Sequence, residues 1–175
     1  KYTIPAGVTT LTVKVPTTPD AVYEGAETFT LAAAVTESFV TDSDIGTGTI
    51  YDDGTATDGD DSDTVVDNDK PTLTINDVNV EEGSKAVFTV SLDKASESTL
   101  EVAFTVSATD PLTAEDSDLD PANLVVSYNN GSTDVVLTAN AGKYTIPAGV
   151  TTLTVKVPTT PDAVYEGAET FTLAA

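Results

Sequence analysis

The sequence predicts an all-β protein built as an antiparallel β-sandwich, and three observations lead to this prediction. Thr and Val supply 32 and 22 of the 175 residues, and such β-branched residues fit strands better than helices. Short runs of alternating apolar and polar residues recur about every 8–12 residues, with turn residues between them. No segment of 12 or more residues has the apolar periodicity of a helix.

The predicted strands follow one another closely along the chain. In order they are residues 28–37, 48–50, 73–80, 87–92, 100–106, 124–128, 134–137, 144–146, 150–157 and 170–173. The first strand after residue 70 has an expected irregularity at Asn76 and Asp77. We expect 124–128 and 134–137 to form a hairpin through Asn129-Asn130-Gly131. We expect a second hairpin between 144–146 and 150–157, through the turn at 147–149.

The chain repeats itself. Residues 1–33 are identical to residues 143–175, an offset of 142 residues. Such identity implies a recent duplication or a tandem array of homogeneous repeats. The Asp-rich stretch 54–69 has few large apolar side chains and is the best linker candidate. We therefore predict that 1–53 is the C-terminal part of one repeat, 54–69 a calcium-binding linker, and 70–175 the N-terminal part of the next.

Composition excludes several classes of function. The chain has 29 acidic residues against seven lysines, no Arg and no His, and its net charge is −22. This charge disfavours nucleic acids and anionic membranes as partners. Without Cys or His there is no disulfide, thiolate nucleophile or Ser-His-Asp triad. The sequence contains no run of about 18 apolar residues, the length that a membrane-spanning helix needs. We therefore expect no enzyme and no membrane insertion.

Acidic residues concentrate in three segments. The motif D-x-x-x-E-G-x-E supplies Asp20, Glu24 and Glu27, and recurs as Asp162, Glu166 and Glu169; the stretch 52–69 supplies Asp52, Asp53, Asp67 and Asp69; the loop 109–120 supplies Asp110 and Asp116. Clustered carboxylates need a counter-charge that seven lysines cannot provide. Ca²⁺, which takes six to eight oxygen ligands, is the natural candidate. The simpler alternative is a solvated, self-repelling spacer.

Two stretches of the chain resemble a known family. The segment PAGVTTLTVKVPTTPDAVYEGAETFTL, followed by GTGTIYDDG, resembles the C-terminal half of a Calx-beta repeat, and VNVEEGSKAVFTVSL resembles its opening strands. The long identical repeats, the abundant Asp and Thr, and the lack of Cys also resemble extender repeats of giant RTX-type adhesins. The resemblance implies Ig-like β-sandwiches strung in tandem and stiffened by calcium at their junctions. Residues 107–142 differ from the family, because a longer acidic loop and an extra hairpin replace its short turn.

The resemblance also implies which residues hold calcium. They are Glu82, or alternatively Glu81; Asp110, or alternatively Asp116; the acidic residues of the repeated motif; the pair Asp52 and Asp53; and, as ligands of the following junction, Asp67 and Asp69. The implied function is that of a calcium-stabilised structural extender in a large adhesin on the surface of a Gram-negative bacterium. Its distal region would bind the ligand in biofilm or surface attachment. The alternative is a sugar- or protein-binding module of the same adhesin.

The expected partners are neighbouring repeats and other copies of the same chain. Residues 70–175 hold the opening strands of a repeat but no GTGTI strand, whereas residues 1–53 hold that strand and lack the opening ones. We therefore expect the two partial units to complete each other between molecules by strand exchange. The alternative is a folding boundary placed elsewhere, with one intact domain and a frayed overlap.

Overall fold

A computed structural model describes residues 1–35, 43–56, 67–108, 117–165 and 167–175. These residues form an all-β structure, as predicted, with one 3₁₀ turn at Pro121–Asn123 and no α-helix among them. Most strand pairs are antiparallel. The predicted division of the chain at 54–69 stays a prediction, and residues 57–66 of that stretch lie outside the described part.

The described residues contain thirteen strands. They are β1 Val22–Tyr23, β2 Glu27–Ala34, β3 Ser43–Ile50, β4 Leu73–Ile75, β5 Lys85–Leu92, β6 Ala95–Ser96, β7 Leu100–Ala103, β8 Thr105–Ser107, β9 Val125–Asn129, β10 Asp134–Leu137, β11 Lys143–Ile146, β12 Thr152–Pro158 and β13 Thr172–Ala174.

The largest sheet has five antiparallel strands in the order β10-β9-β12-β5-β4. In its central strand β12, Leu153, Val155 and Val157 are buried at every second position, which is the period of a strand with one covered face. Val155 lies opposite Phe88 of β5 and Val126 of β9. These residues build the apolar core on one face of the sheet.

Two short strand pairs cover that face. β7 pairs with β11 and β8 pairs with β13. Val102 of β7 and Ile146 of β11 belong to the buried cluster, and Leu173 of β13 packs against it. Phe171, just before β13, meets Phe88 edge to face, with ring centroids 5.9 Å apart. The core therefore lies between the five-stranded sheet and these two pairs.

One predicted hairpin is confirmed and the other is wrong. β9 and β10 pair as expected, and the side-chain oxygen of Asn130 accepts the N–H groups of Ser132 and Thr133 in their loop. β11 and β12 do not pair with each other, because β11 joins β7 whereas β12 joins β5 and β9. The Gly149 N–H donates to the Ser96 carbonyl oxygen at 2.8 Å. This contact holds the turn where the chain passes from one sheet to the other.

Two predicted strands are shorter or interrupted. The strand predicted at 73–80 ends at Ile75. There the side-chain oxygen of Asn76 accepts the Thr89 N–H at 2.5 Å, in place of the backbone carbonyl that a continuing strand would offer. Residues 100–106 form two strands that separate at Phe104, whose ring lies 5.9 Å from that of Tyr144. The chain changes its pairing partner at this residue.

The identical segments adopt different structures. Residues 143–162 contain β11 and β12, whereas residues 1–20 contain no strand. Val155 is fully buried, but its counterpart Val13 is 57% exposed. β5 and β9 flank β12 and pair with it, and each occurs once among the described residues. Neither strand is therefore free to pair with residues 1–20 of the same chain. Sequence alone therefore does not fix strand formation here, because a partner strand is also needed.

Candidate functional site

The segment 1–53 meets the rest of the chain through a short parallel pairing. β1 lies beside β6, with Val22 opposite Ala95 and Tyr23 opposite Ser96. The Glu97 N–H continues this pairing and donates to the Tyr23 carbonyl oxygen at 2.9 Å. The pairing brings the first D-x-x-x-E-G-x-E motif next to the loop that follows β5.

Glu24 and Asp52 form the centre of what we call the junction cluster, which comprises Asp20, Glu24, Glu27, Asp52, Asp67, Asp69 and Glu97. The Glu24 N–H donates to Asp52 Oδ2 at 2.6 Å. Asp52 Oδ1 is buried and has no hydrogen-bond partner among the described residues. A buried carboxylate oxygen without a donor is costly and calls for an explanation.

Asp52 and Asp53 are held against residues 68 and 69, at the end of the predicted linker. The Asp69 N–H donates to the Asp52 carbonyl oxygen at 2.6 Å, and Asp53 and Asn68 form an isolated antiparallel bridge. Lys94 forms a salt bridge with the buried carboxylate of Asp69, with its Nζ 2.8 Å from Oδ1, and also donates to the Asn68 carbonyl oxygen. One lysine therefore supplies part of the counter-charge in this region.

Mutual repulsion dominates the electrostatics of the cluster. The carboxylate of Glu97 raises the pKa of Glu24, and partial burial, Asp20, Glu27 and Asp52 act in the same direction. Desolvation raises the pKa of Asp67, and neighbouring Asp69 adds to this rise. Both directions mean that the folded chain disfavours full ionisation of the cluster.

Two further pKa shifts arise from a neighbouring opposite charge and from neighbouring hydrogen-bond donors. The side chain of Asp69 raises the pKa of Lys94 through their hydrogen bond. Hydrogen bonds from the hydroxyl and the N–H of Thr55 lower the pKa of Asp53. Thr55 therefore stabilises the ionised form of Asp53, whereas the neighbouring carboxylates destabilise the ionised form of Glu24.

The second copy of the motif contacts Glu82, which lies between β4 and β5. The Asp162 N–H donates to Glu82 Oε1 at 2.6 Å. Asp162 Oδ1 accepts the Val164 N–H at 2.7 Å, and Asp20 Oδ1 accepts the Val22 N–H at 2.8 Å. The first turn of the motif is therefore the same in both copies.

Glu81, Glu82 and Glu169 border a cavity of about 620 Å³. Phe88, Leu119 and Phe171 supply apolar lining to the same cavity. The structure thus brings together Glu82, Asp162 and Glu169 in one region, apart from the junction cluster. The predicted ligands Asp110 and Glu166, and the alternative Asp116, lie outside the described residues.

No group of three or more acidic side chains within the described ranges is arranged to hold a metal ion. The chemistry of the donors nevertheless fits calcium, because they are carboxylates and Asp52 Oδ1 has no hydrogen-bond partner in the part of the chain that the structure describes. The twelve predicted ligands separate into two regions plus two residues that the structure does not describe.

Sequence reasoning missed Glu97 and Lys94. Glu97 has the largest influence on the pKa of Glu24, and Lys94 forms the salt bridge with Asp69. Neither residue belongs to a sequence motif. Only the pairing of β1 with β6 brings them close, and a two-residue parallel pairing leaves no periodic signal in the sequence.

Comparison with known proteins adds no relative. No protein-family profile, curated protein sequence or solved structure is significantly similar to this chain. The resemblance to Calx-beta and adhesin repeats therefore stays a prediction. Among the described residues, no helix is long and apolar enough to cross a membrane.

Proposed function

We propose that this chain is a calcium-stabilised structural extender, an Ig-like β-sandwich repeat of a tandem array in a large adhesin on a Gram-negative bacterial surface. The observation that carries the proposal is the buried Oδ1 of Asp52 in the junction cluster, which has no hydrogen-bond partner among the described residues. Support also comes from the identical segments 1–33 and 143–175, which are typical of a repeat array.

The proposed role of calcium follows from the charges at the junction. Asp52 and Glu24 belong to the first segment, Asp69 ends the predicted linker, and Glu97 belongs to the second segment. A divalent cation there would neutralise the repulsion that raises the pKa of Glu24. Because β1 and β6 share only two residue pairs, a cation bound by both segments would also stiffen their connection. The function is thus mechanical, and the array would project a distal ligand-binding region.

Thermal unfolding with and without calcium tests this proposal. We expect millimolar CaCl₂ to raise the Tm measured in EGTA, because a ligand that binds only the folded chain stabilises it. Calcium at 100 times its Kd would add about 2.7 kcal/mol. An unchanged Tm would reject the proposal.

Asp52→Asn is the informative variant, with Asp134→Asn as its matched control. Both changes remove one carboxylate charge and retain a side-chain oxygen. Asp134 lies in β10 and its Oδ1 accepts an N–H of Asn129, away from the junction. We expect Asp52→Asn to reduce the calcium-induced rise in Tm and Asp134→Asn to preserve it. Equal responses would place the calcium site elsewhere.

A further inference from the structure

Strand β13 pairs with β8 along one edge, and along its other edge no strand pairs with it within the described ranges. The cavity of about 620 Å³ begins at Glu169, Thr170 and Phe171, which lead into this strand. An open backbone edge beside a cavity with both apolar and acidic lining residues is a place where a further strand can add.

The identical segment shows which strand fits that edge. Residues 169–174 repeat residues 27–32, which form part of β2. In β2, Phe29 lies opposite Gly48 of β3, Thr30 opposite Thr47, and Leu31 opposite Gly46. Because the sequences are the same, the same register predicts the partner of β13: Phe171 opposite Gly48, Thr172 opposite Thr47 and Leu173 opposite Gly46.

Gly48 is matched to a phenylalanine ring. A Cβ placed on Gly48 would lie 2.5 Å from the Phe29 ring, so the ring occupies the space that a side chain would need. Phe171 is the counterpart of Phe29, and it already packs edge to face on Phe88. A glycine opposite Phe171 would let a new strand approach without displacing that ring.

We propose that β3 of a second copy of this chain adds to the open edge of β13 and fills the cavity beside it. In its own hairpin β3 pairs with β2 and with no other described strand, and Ile45 and Leu31 are 64% and 42% exposed. Exchange replaces the eight-pair ladder of β2 and β3 with a ladder along the shorter strand β13, and the contacts of the cavity wall add to it. The segment Gly46 to Ile50 carries no charge, so it brings no repulsion to Glu82 and Glu169.

The strand exchange does not depend on calcium, because backbone hydrogen bonds and apolar contacts hold the added strand in place. Reciprocal exchange closes a two-fold dimer, and head-to-tail exchange gives longer oligomers. Both arrangements place the same residues opposite each other. The register is therefore the property to test.

Cysteine cross-linking tests the register directly, because the chain has no cysteine of its own. Thr172→Cys combined with Thr47→Cys places two thiols opposite each other in neighbouring chains. Directly opposite Cβ atoms in a sheet are about 5 Å apart, within reach of a disulfide after small adjustment. Both threonines are exposed, so neither change disturbs the core. We expect mild oxidation of the full chain to give covalent dimers or longer oligomers.

The matched control is Thr172→Cys combined with Thr49→Cys. Thr49 is also exposed, on the same face of β3, but two residues out of register, about 7 Å from its target. We expect at least a several-fold lower yield of intermolecular disulfide. Equal yields would mean random collision or another register, and no disulfide in either variant would mean no exchange. Both results would overturn the proposal.

Sedimentation of the cysteine-free chain provides a second measurement that no substitution can disturb. We expect its mean mass to rise with concentration, in EGTA as well as in calcium. A strictly monomeric chain at all concentrations would contradict the proposal. Oligomers that form only with calcium would instead assign the association to the cation sites.

Discussion

At the scale of single residues, Glu24 shows most clearly how the carboxylates of the junction cluster repel one another. Four neighbouring carboxylates and partial burial raise its pKa above the ordinary value. A raised pKa in the folded chain means that its ionisation opposes folding. We therefore predict that Glu24→Gln raises the Tm in EGTA at pH 7, whereas it reduces the additional rise that calcium causes.

The pH dependence of the Glu24 effect has a definite sign. With a raised folded pKa, the favourable contribution of protonated Glu24 is complete below about pH 4 and disappears as the pH rises through that pKa. The advantage of Glu24→Gln in EGTA should therefore vanish under acidic conditions. Glu101→Gln is the control, because Glu101 pairs with Lys143 at 2.8 Å and its removal should not raise the Tm. A lower Tm for Glu24→Gln at pH 7 would contradict the prediction.

At the scale of single strands, the two identical segments offer an internal comparison. Val155 and Val13 occupy the same position in the repeated sequence, but Val155 is fully buried and Val13 is 57% exposed. We predict that Val155→Ala lowers the free energy of unfolding by about 1–3 kcal/mol, because it opens a small cavity in the core. Val13→Ala should change it by less than about 0.5 kcal/mol. Urea unfolding of both variants measures the difference.

Equal losses of stability from the two variants would have a specific meaning. They would show that residues 1–20 replace 143–162 in the sheet, within or between molecules. Since the segments are identical, only competition for β5 and β9 decides which copy forms β12. The comparison therefore measures how far tertiary contacts, rather than strand propensity, determine the structure of this sequence.

The sequence predicted local strand pattern better than strand pairing. Alternation correctly located β5 and β10, in which every second residue is less exposed than its neighbours. It also located β9, although the consecutive residues Val126 and Ser127 are both buried there. It failed for β11 and β12, since proximity in the chain suggested a hairpin although the strands join different sheets. Local periodicity indicates that a face is buried, but it does not indicate which strand lies alongside.

The same limit applies to the candidate site. The acidic motif pointed to Glu24 and the separate acidic pair pointed to Asp52, and the structure does bring these two residues together. It could not point to Glu97, because this residue approaches Glu24 only through the pairing of β1 with β6. Nor could it separate the junction cluster from the region of Glu82 and Asp162, since one motif contributes to both.

At the scale of the whole molecule, the net charge of −22 opposes the compact state by general repulsion. Any salt reduces that repulsion, because the Debye length falls from about 10 Å at 0.1 M to about 3 Å at 1 M. A specific calcium site differs from screening, since it depends on the identity of the cation and saturates. Stabilisation by calcium alone would not distinguish these two effects.

Salt titrations separate them. In EGTA we predict that NaCl raises the Tm gradually and without saturation, whereas calcium raises it further at an ionic strength too low for screening to act. Magnesium should be less effective than calcium, because it demands strict octahedral geometry and retains its water. If NaCl at matched ionic strength reproduced the calcium effect, the acidic clusters would be a solvated surface and not cation sites. If calcium acts at a specific site, Asp52→Asn should remove the additional rise in Tm that calcium causes and leave the response to NaCl unchanged.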